Sequence, residues 1–272
     1  MEQCVKKAVR IRLIKIGANA LFAILLAVNI FVLNKYAIPV SNDRVLTWGY
    51  IPWWATVIIS LALFTGLLGV YCAVSIYLNG LLEKDCDPIN YYLVSKASVF
   101  MFTEEQKNLL EMNASFYSGK FEVAVEKAQI LIKTSKKYYY KAIKILAQSY
   151  CFTDDLDSIE RLIKMLNERV EKNEKEKQLF QKYLELYGEI TKGNYFKAKN
   201  LIDCVALNAK TPKDKSKYKA RHKLGAIEWE YACGLIMLKT GDIHAGKTIL
   251  KEVEQIANKT FYKEFAKKQL SE

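Results

Sequence analysis

Gly241-Asp242-Ile243-His244-Ala245-Gly246-Lys247-Thr248, GDIHAGKT, fits the phosphate-binding pattern G-x-x-x-x-G-K-[ST] at every fixed position. Its reading decides the fold. Either a strand precedes it and its loop cradles phosphate, or its glycines mark the turn and the contact of two helices. A phosphate loop needs the preceding strand so that its backbone amides meet the anion at a helix N-terminus. Here the preceding WEYACGLIMLK, Trp229 to Lys239, continues a helical pattern from Ile227. Only 24 residues follow Thr248, too few for the later strand whose Asp would hold a metal. The context favours helices.

The rest of the chain agrees. Four prolines and 12 glycines in 272 residues are few, and Lys, Glu, Leu, Ile and Ala are abundant, which favours long helices over sheets. Asp87-Pro88 reads as an N-cap followed by Pro at the first helical position, and Thr103-x-x-Gln106 as a capping box. Beyond them four turns share one form, a turn residue, a polar residue and an apolar one: Gly119-Lys120-Phe121, Asp154-Asp155-Leu156, Gly193-Asn194-Tyr195 and Gly241-Asp242-Ile243. Their spacings are 35, 39 and 48 residues. The first two approach the 34-residue period of one helical-repeat class. The third is stretched by a polar insertion, LNAKTPKDKSKYKARHK, Leu207 to Lys223.

On these residues the chain from about Thr103 to Leu270 resembles the tetratricopeptide-repeat family. That family places a small residue five positions after the turn glycine, and Ala124, Ala198 and Gly246 stand there. Leu146-Ala147-x-x-Tyr150 is similar to its first-helix signature, and Gly234 falls at a close-packing position seven residues before Gly241. The second repeat departs, with Asp154 at the turn and Ile159 at the small position, and the post-helix proline is missing throughout. The resemblance implies a divergent all-α solenoid of about four helix pairs, with Phe261 to Leu270 as the end helix over the last repeat. It also implies a concave groove lined by first helices, at Asn113, Lys141, Lys144, Gln148, Tyr183, Tyr187 and Tyr231. Tyr and Lys there would suit an extended peptide with acidic and apolar side chains. In this register Gly246 is a helix contact, so Gly246→Ala is expected to be tolerated and Gly246→Leu to overpack.

The N-terminal third reads differently. Residues 16–33 carry no charge over 18 positions, and residues 56–78 none over 23. Each is long enough to cross a bilayer core of about 30 Å. The expected domains are a membrane anchor at 1–82, with spans about 12–34 and 56–78 and a loop at 35–55, and a repeat domain at 83–272. Lys6, Lys7, Arg10, Arg12 and Lys15 precede the first span, so the positive-inside rule puts both termini in the cytoplasm and the loop outside. Trp48, Tyr50, Trp53 and Trp54 fit an interfacial belt, and Ala23/Ala27 with Ala62/Gly66 would let the two segments pack closely. This layout also resembles bacterial membrane proteins associated with haem biosynthesis, which implies an integral protein of a bacterial plasma membrane.

Chemistry is sparse. The two histidines, His222 and His244, lack ligand-spaced companions, and the six cysteines form no C-x-x-C pair, so no metal or other cofactor is expected. No hydrolase, zinc-protease or dinucleotide motif occurs, which argues against an enzyme. Of the formal charge of +12, about +7 belongs to residues 83–272. Its densest patch is Lys210, Lys213, Lys215, Lys217, Lys219, Arg221 and Lys223, a candidate lipid-facing loop. Charge alone does not argue nucleic-acid binding. The expected function is a membrane-anchored protein-interaction scaffold whose groove faces the cytoplasm, with membrane lipids as a second partner. A subunit or assembly factor of a larger membrane complex, and a nucleotide-binding enzyme using Gly241–Thr248, remain the alternatives.

Overall fold

The four turns marked by the sequence are where the chain reverses. The computed structural model describes residues 53–97, 102–169, 174–208 and 223–271, with side chains undescribed at part of 53–79, at 97 and over 203–208. The described residues form eleven α-helices and no strand. Helix α1 is Trp53–Asn79, followed by a π-helical turn at Gly80–Lys84, and α2 is Pro88–Ala97. Four pairs then follow: α3 Glu104–Tyr117 with α4 Phe121–Thr134, α5 Tyr139–Phe152 with α6 Leu156–Glu168, α7 Glu174–Thr191 with α8 Tyr195–Asn208, and α9 Lys223–Lys239 with α10 Ile243–Ile256. Helix α11, Phe261–Ser271, ends the described chain.

Each pair turns in the same way. Gly119, Asp154, Gly193 and Gly241 all adopt positive φ, at 76°, 55°, 75° and 96°. That left-handed residue lets the next amide reach back to a carbonyl five residues earlier, which satisfies an otherwise orphaned acceptor at the helix end. Lys120 N donates to Ser115 O, Asp155 N to Tyr150 O, Asn194 N to Glu189 O and Asp242 N to Met237 O, at 2.9 to 3.0 Å. Two of these same residues then start the next helix. Asp155 Oδ1 accepts from Ser158 N at 3.1 Å, and Asp242 Oδ1 from Ala245 N at 3.4 Å.

Other helix ends follow the sequence as well. Asp87 accepts from Asn90 N at 3.1 Å ahead of Pro88, and Thr103 with Gln106 closes a reciprocal capping box. After α6 a distant lysine serves. Lys177 Nζ donates to the carbonyls of Asn167 and Arg169 at 3.1 and 2.6 Å, neutralising the negative end of the helix.

The pairs pack through the positions that the register marks. Ala124 and Ala198 are fully buried. In the second pair Ile159, which departs from the family's small residue, is equally buried. Gly188 of α7 lies opposite and supplies the space, since a Cβ on it would sit 3.5 Å from Ile159 Cγ2. A large residue on one helix is thus matched by a missing side chain on its neighbour.

Helix α11 departs from the expectation of a simple end cap. It packs on α10, and its aromatic residues also reach back to the first two pairs. The Phe261 ring stands 5.3 Å from Phe116, 5.0 Å from Phe121 and 4.8 Å from Phe152. At the same corner Lys259 N donates to Cys86 O at 3.2 Å, and Lys259 Nζ pairs with Asp87 at 2.6 Å. The last turn of the chain is tied to the segment that precedes the first pair, so the row of helices closes on itself.

The chain divides into two compact units, Met1–Tyr77 and Leu78–Glu272, against an expected division at 82/83. Among the described residues no helix is long and apolar enough to cross a membrane. That finding overturns the expected localisation as an integral protein of a bacterial plasma membrane, with two cytoplasmic termini and an outer loop at 35–55. The first expected span, 12–34, lies outside the described residues, as does the loop up to residue 52. The candidate lipid-facing patch falls almost wholly outside the described residues too. Lys210, Lys213, Lys215, Lys217, Lys219 and Arg221 lie outside the described residues, and Lys223 is the first residue of α9.

Candidate functional site

The residues expected to line a groove are brought together, but inside the helical unit. Glu228 of α9 is the centre. Its buried carboxylate accepts from the Tyr117 hydroxyl of α3 through one oxygen and from Lys144 Nζ of α5 through the other. Three first helices, from the first, second and fourth pairs, thus meet on one side chain. Gln148 Nε2, one turn along α5 from Lys144, donates to the Tyr187 hydroxyl of α7 at 3.0 Å. The Tyr183 and Tyr187 rings lie 4.8 Å apart, and the Tyr231 and Tyr262 rings 5.4 Å apart.

Electrostatics mark the same centre. Burial pushes the hydroxyls of Tyr117, Tyr183, Tyr187 and Tyr262 above their ordinary range, and the Glu228 charge pushes each the same way. These phenols therefore stay protonated and act as neutral donors and packing surfaces. Lys144 is the member nearest water, with about a third of its side chain exposed. Buried and hydrogen-bonded, the cluster resembles a structural network.

Placed one by one, the seven expected groove residues separate. Lys144, Gln148, Tyr183, Tyr187 and Tyr231 belong to this cluster. Asn113 bonds to the Tyr91 hydroxyl and ties α3 to α2. Lys141 alone is exposed. An open groove for an extended peptide is therefore not what these side chains form. Gln148, Tyr187 and Tyr231 are buried, because α9 and α11 occupy the face that the resemblance leaves open. Glu228 itself did not figure among the expected residues. Its signal is present in the sequence, since Leu224, Ile227, Glu228 and Tyr231 share one helical stripe, and a carboxylate in an apolar stripe requires a partner.

GDIHAGKT is the turn and first residues of α10. The Asp242 side chain already accepts from Ala245 N, and its carbonyl accepts from Gly246 N at 2.9 Å. The amides at this helix start are thus directed at Asp242. Thr248 Oγ1 donates to His244 O at 2.8 Å, as a helix-surface threonine does. Gly246 is buried against α9 more tightly than the matching alanines suggest. A Cβ there would lie 2.6 Å from Leu238 N and 2.9 Å from Gly234 O. The expected tolerance of Gly246→Ala is corrected on this ground, because at this pair it is backbone that faces the glycine.

Two of the thiols are muted. Burial raises the thiols of Cys86 and Cys151 to about 11, so neither is a thiolate at neutral pH. Among the described residues no group of three or more His, Cys, Asp or Glu side chains is placed to hold a metal ion. No protein family, no curated protein and no solved structure matches this chain.

Proposed function

We propose that this protein is a protein-interaction scaffold, a stack of helix pairs of the tetratricopeptide kind that meets its partner on an outer edge. One observation supports this reading. Val123 of α4, Phe196 of α8 and Ile243 of α10 are all exposed, Phe196 to 73%. They stand four, three and two residues after the turn residues Gly119, Gly193 and Gly241, in the first turn of the second helix of a pair. All three lie at the turn end of their pairs, although offsets that differ by one residue turn their side chains about 100° apart. Exposed aromatic residues of this kind are the usual anchors of an interface. Lys197, next to Phe196, is two-thirds exposed and pairs with Glu189, so a partner carrying apolar and acidic side chains fits best.

The test is affinity capture with the full chain, beside a Phe196→Asp, Ile243→Asp variant. Partners held by the parent should be lost from the variant, while its stability changes by no more than about 0.5 kcal/mol per surface site. Equal capture by both would overturn the edge. The nucleotide alternative is separated by melting the full chain with ATP or GTP. A ligand that binds the folded state raises its melting temperature. No rise is expected, and a rise abolished by Lys247→Ala would replace the scaffold reading.

A further inference from the structure

Helix α11 is held by one stripe. Phe261, Tyr262 and Ala266 are buried, while Lys263, Glu264, Lys267 and Lys268 on the other side are exposed. The stripe fills an aromatic corner made by Phe116 of α3, Phe121 of α4 and Phe152 of α5. Besides the Phe261 contacts, the Phe265 ring lies 5.3 Å from Phe152 and 6.4 Å from Phe121, and Tyr262 lies 5.9 Å from Phe152. Two polar atoms enter this seat without a hydrogen-bond partner, the Tyr262 hydroxyl and Gln269 Oε1, and both are buried. A buried group that makes no hydrogen bond carries a desolvation cost that return to water would relieve. The corner therefore suits the rings of α11 better than it suits the whole helix.

We propose that α11 is a displaceable self-ligand, covering a corner that binds an amphipathic helix of a partner protein. The partner's helix presents Phe-Phe-x-x-Phe-Ala, with phenylalanine where α11 has Tyr262, so it brings the same rings without the orphaned hydroxyl. The joint of α11 suits release. Asn258, at φ 47°, ends the turn after α10, and its Nδ2 donates to Asp85 O at 2.5 Å. The neighbouring Lys259 pairs with Asp87 but is itself half exposed, and a pair so open to water adds little. Release leaves both bonds of Glu228 in place, because Tyr117 and Lys144 stand on α3 and α5. A helix of 11 residues is marginal alone in water, so α11 loses its order as the partner enters, and the two events form one exchange. This corner does not rest on the edge at Phe196.

Hydrogen exchange of the unaltered full chain tests release directly. The amides of α11 should exchange at least about tenfold faster than those of α5 and α9, through an opening confined to α11. The probe for the partner is a labelled synthetic peptide of residues 258–271 carrying Tyr262→Phe, with binding read by fluorescence anisotropy. It should bind the full chain and speed α11 exchange further, while α5 stays protected. Lys259→Ala cuts one tie and leaves the corner intact, so that chain should bind the peptide at least about fivefold more tightly than the parent. A peptide that also carries Phe265→Asp should bind neither chain. Equal exchange in α11 and α9 would overturn the proposal. So would a peptide that binds neither chain, or one that binds while α11 exchange is unchanged. Protection of α11 that rises with protein concentration would make a second copy's α11 the occupant, and overturns it too.

Discussion

Replacing Gly246 by alanine tests the closest contact in the helical unit. In an ordinary helix the change gains stability, because alanine is favoured over glycine by about 1 kcal/mol. Here the new Cβ would stand 2.6 Å from Leu238 N and 2.9 Å from both Gly234 O and Leu238 Cα. All three are backbone atoms of α9, so no side chain can rotate away, and α10 must shift outward. Overpacking of this kind costs about 1–3 kcal/mol. The position at backbone contact favours the upper half of that range, which leaves a net loss of about 1–2 kcal/mol after the helix gain. For a unit of this size that lowers the melting temperature by about 2–8 °C. Two further substitutions calibrate the reading. At Gly188 the Cβ would meet only Ile159 Cγ2 at 3.5 Å, an ordinary contact, so Gly188→Ala should stabilise by up to about 1 kcal/mol. At Gly234 it would meet Leu250 Cγ at 3.0 Å and Ile249 Cγ2 at 3.2 Å, side chains that can yield, so Gly234→Ala should fall between the two. Thermal melts of the three variants should order as 188, 234, 246. If Gly246→Ala melts at or above the parent, α9 and α10 do not approach as described.

Three other substitutions probe the polar centre and the turns. Tyr117→Phe removes a hydrogen bond to the buried Glu228 carboxylate and should cost about 1.5–3 kcal/mol in urea unfolding, non-additively with Lys144→Met by at least about 0.5 kcal/mol. Additive losses would mean that the two donors do not share one acceptor. Asp154 sits at φ 55°, so Asp154→Val should cost about 1–2 kcal/mol while Asp154→Gly melts like the parent or slightly higher. Asp155 is held below the ordinary carboxylate range by the Ser158 hydroxyl, then by the Ser158 amide and Arg161, against some burial. A depressed pKa contributes stability above the unfolded value that is lost as pH falls through the folded one. Asp155→Asn should therefore be less stable than the parent at pH 7, and the gap should narrow as pH falls below the ordinary carboxylate range and through the lowered folded pKa. A gap that does not change with pH through the acid range would assign the loss to cap geometry rather than charge.

Local features of this fold were legible because local chemistry causes them. Gly119, Gly193 and Gly241 announce left-handed turns since only glycine takes that conformation freely, and Asp154 takes the equivalent place because Asp tolerates it. Thr103 with Gln106, and Asp87 before Pro88, act within three residues of themselves. The groove was misread for the opposite reason. A first-helix lysine at 144 and tyrosines at 183, 187 and 231 look available only while the helices stack as an open row. Whether they are available depends on Glu228, 84 residues from Lys144 and 111 from Tyr117, and on the return of α11 to Phe116 and Phe152. No window of sequence contains both partners of such a contact.

The same distance argument explains where a partner should be sought. An interior joined by one carboxylate to two other helices is a poor place for reversible binding. Opening it would strand the Glu228 charge in a low-dielectric site, which is the expensive way to break a buried pair. Phe196 requires no such opening. It already presents an aromatic face to solvent, on a second helix whose own contacts run to α7 and α9. Its removal should therefore separate binding from stability, and no substitution in the Glu228 cluster can do that. A partner that survives Phe196→Asp and Ile243→Asp but is lost with Lys141→Glu would move the interface to the first helices, where Lys141 is the one expected groove residue that is exposed.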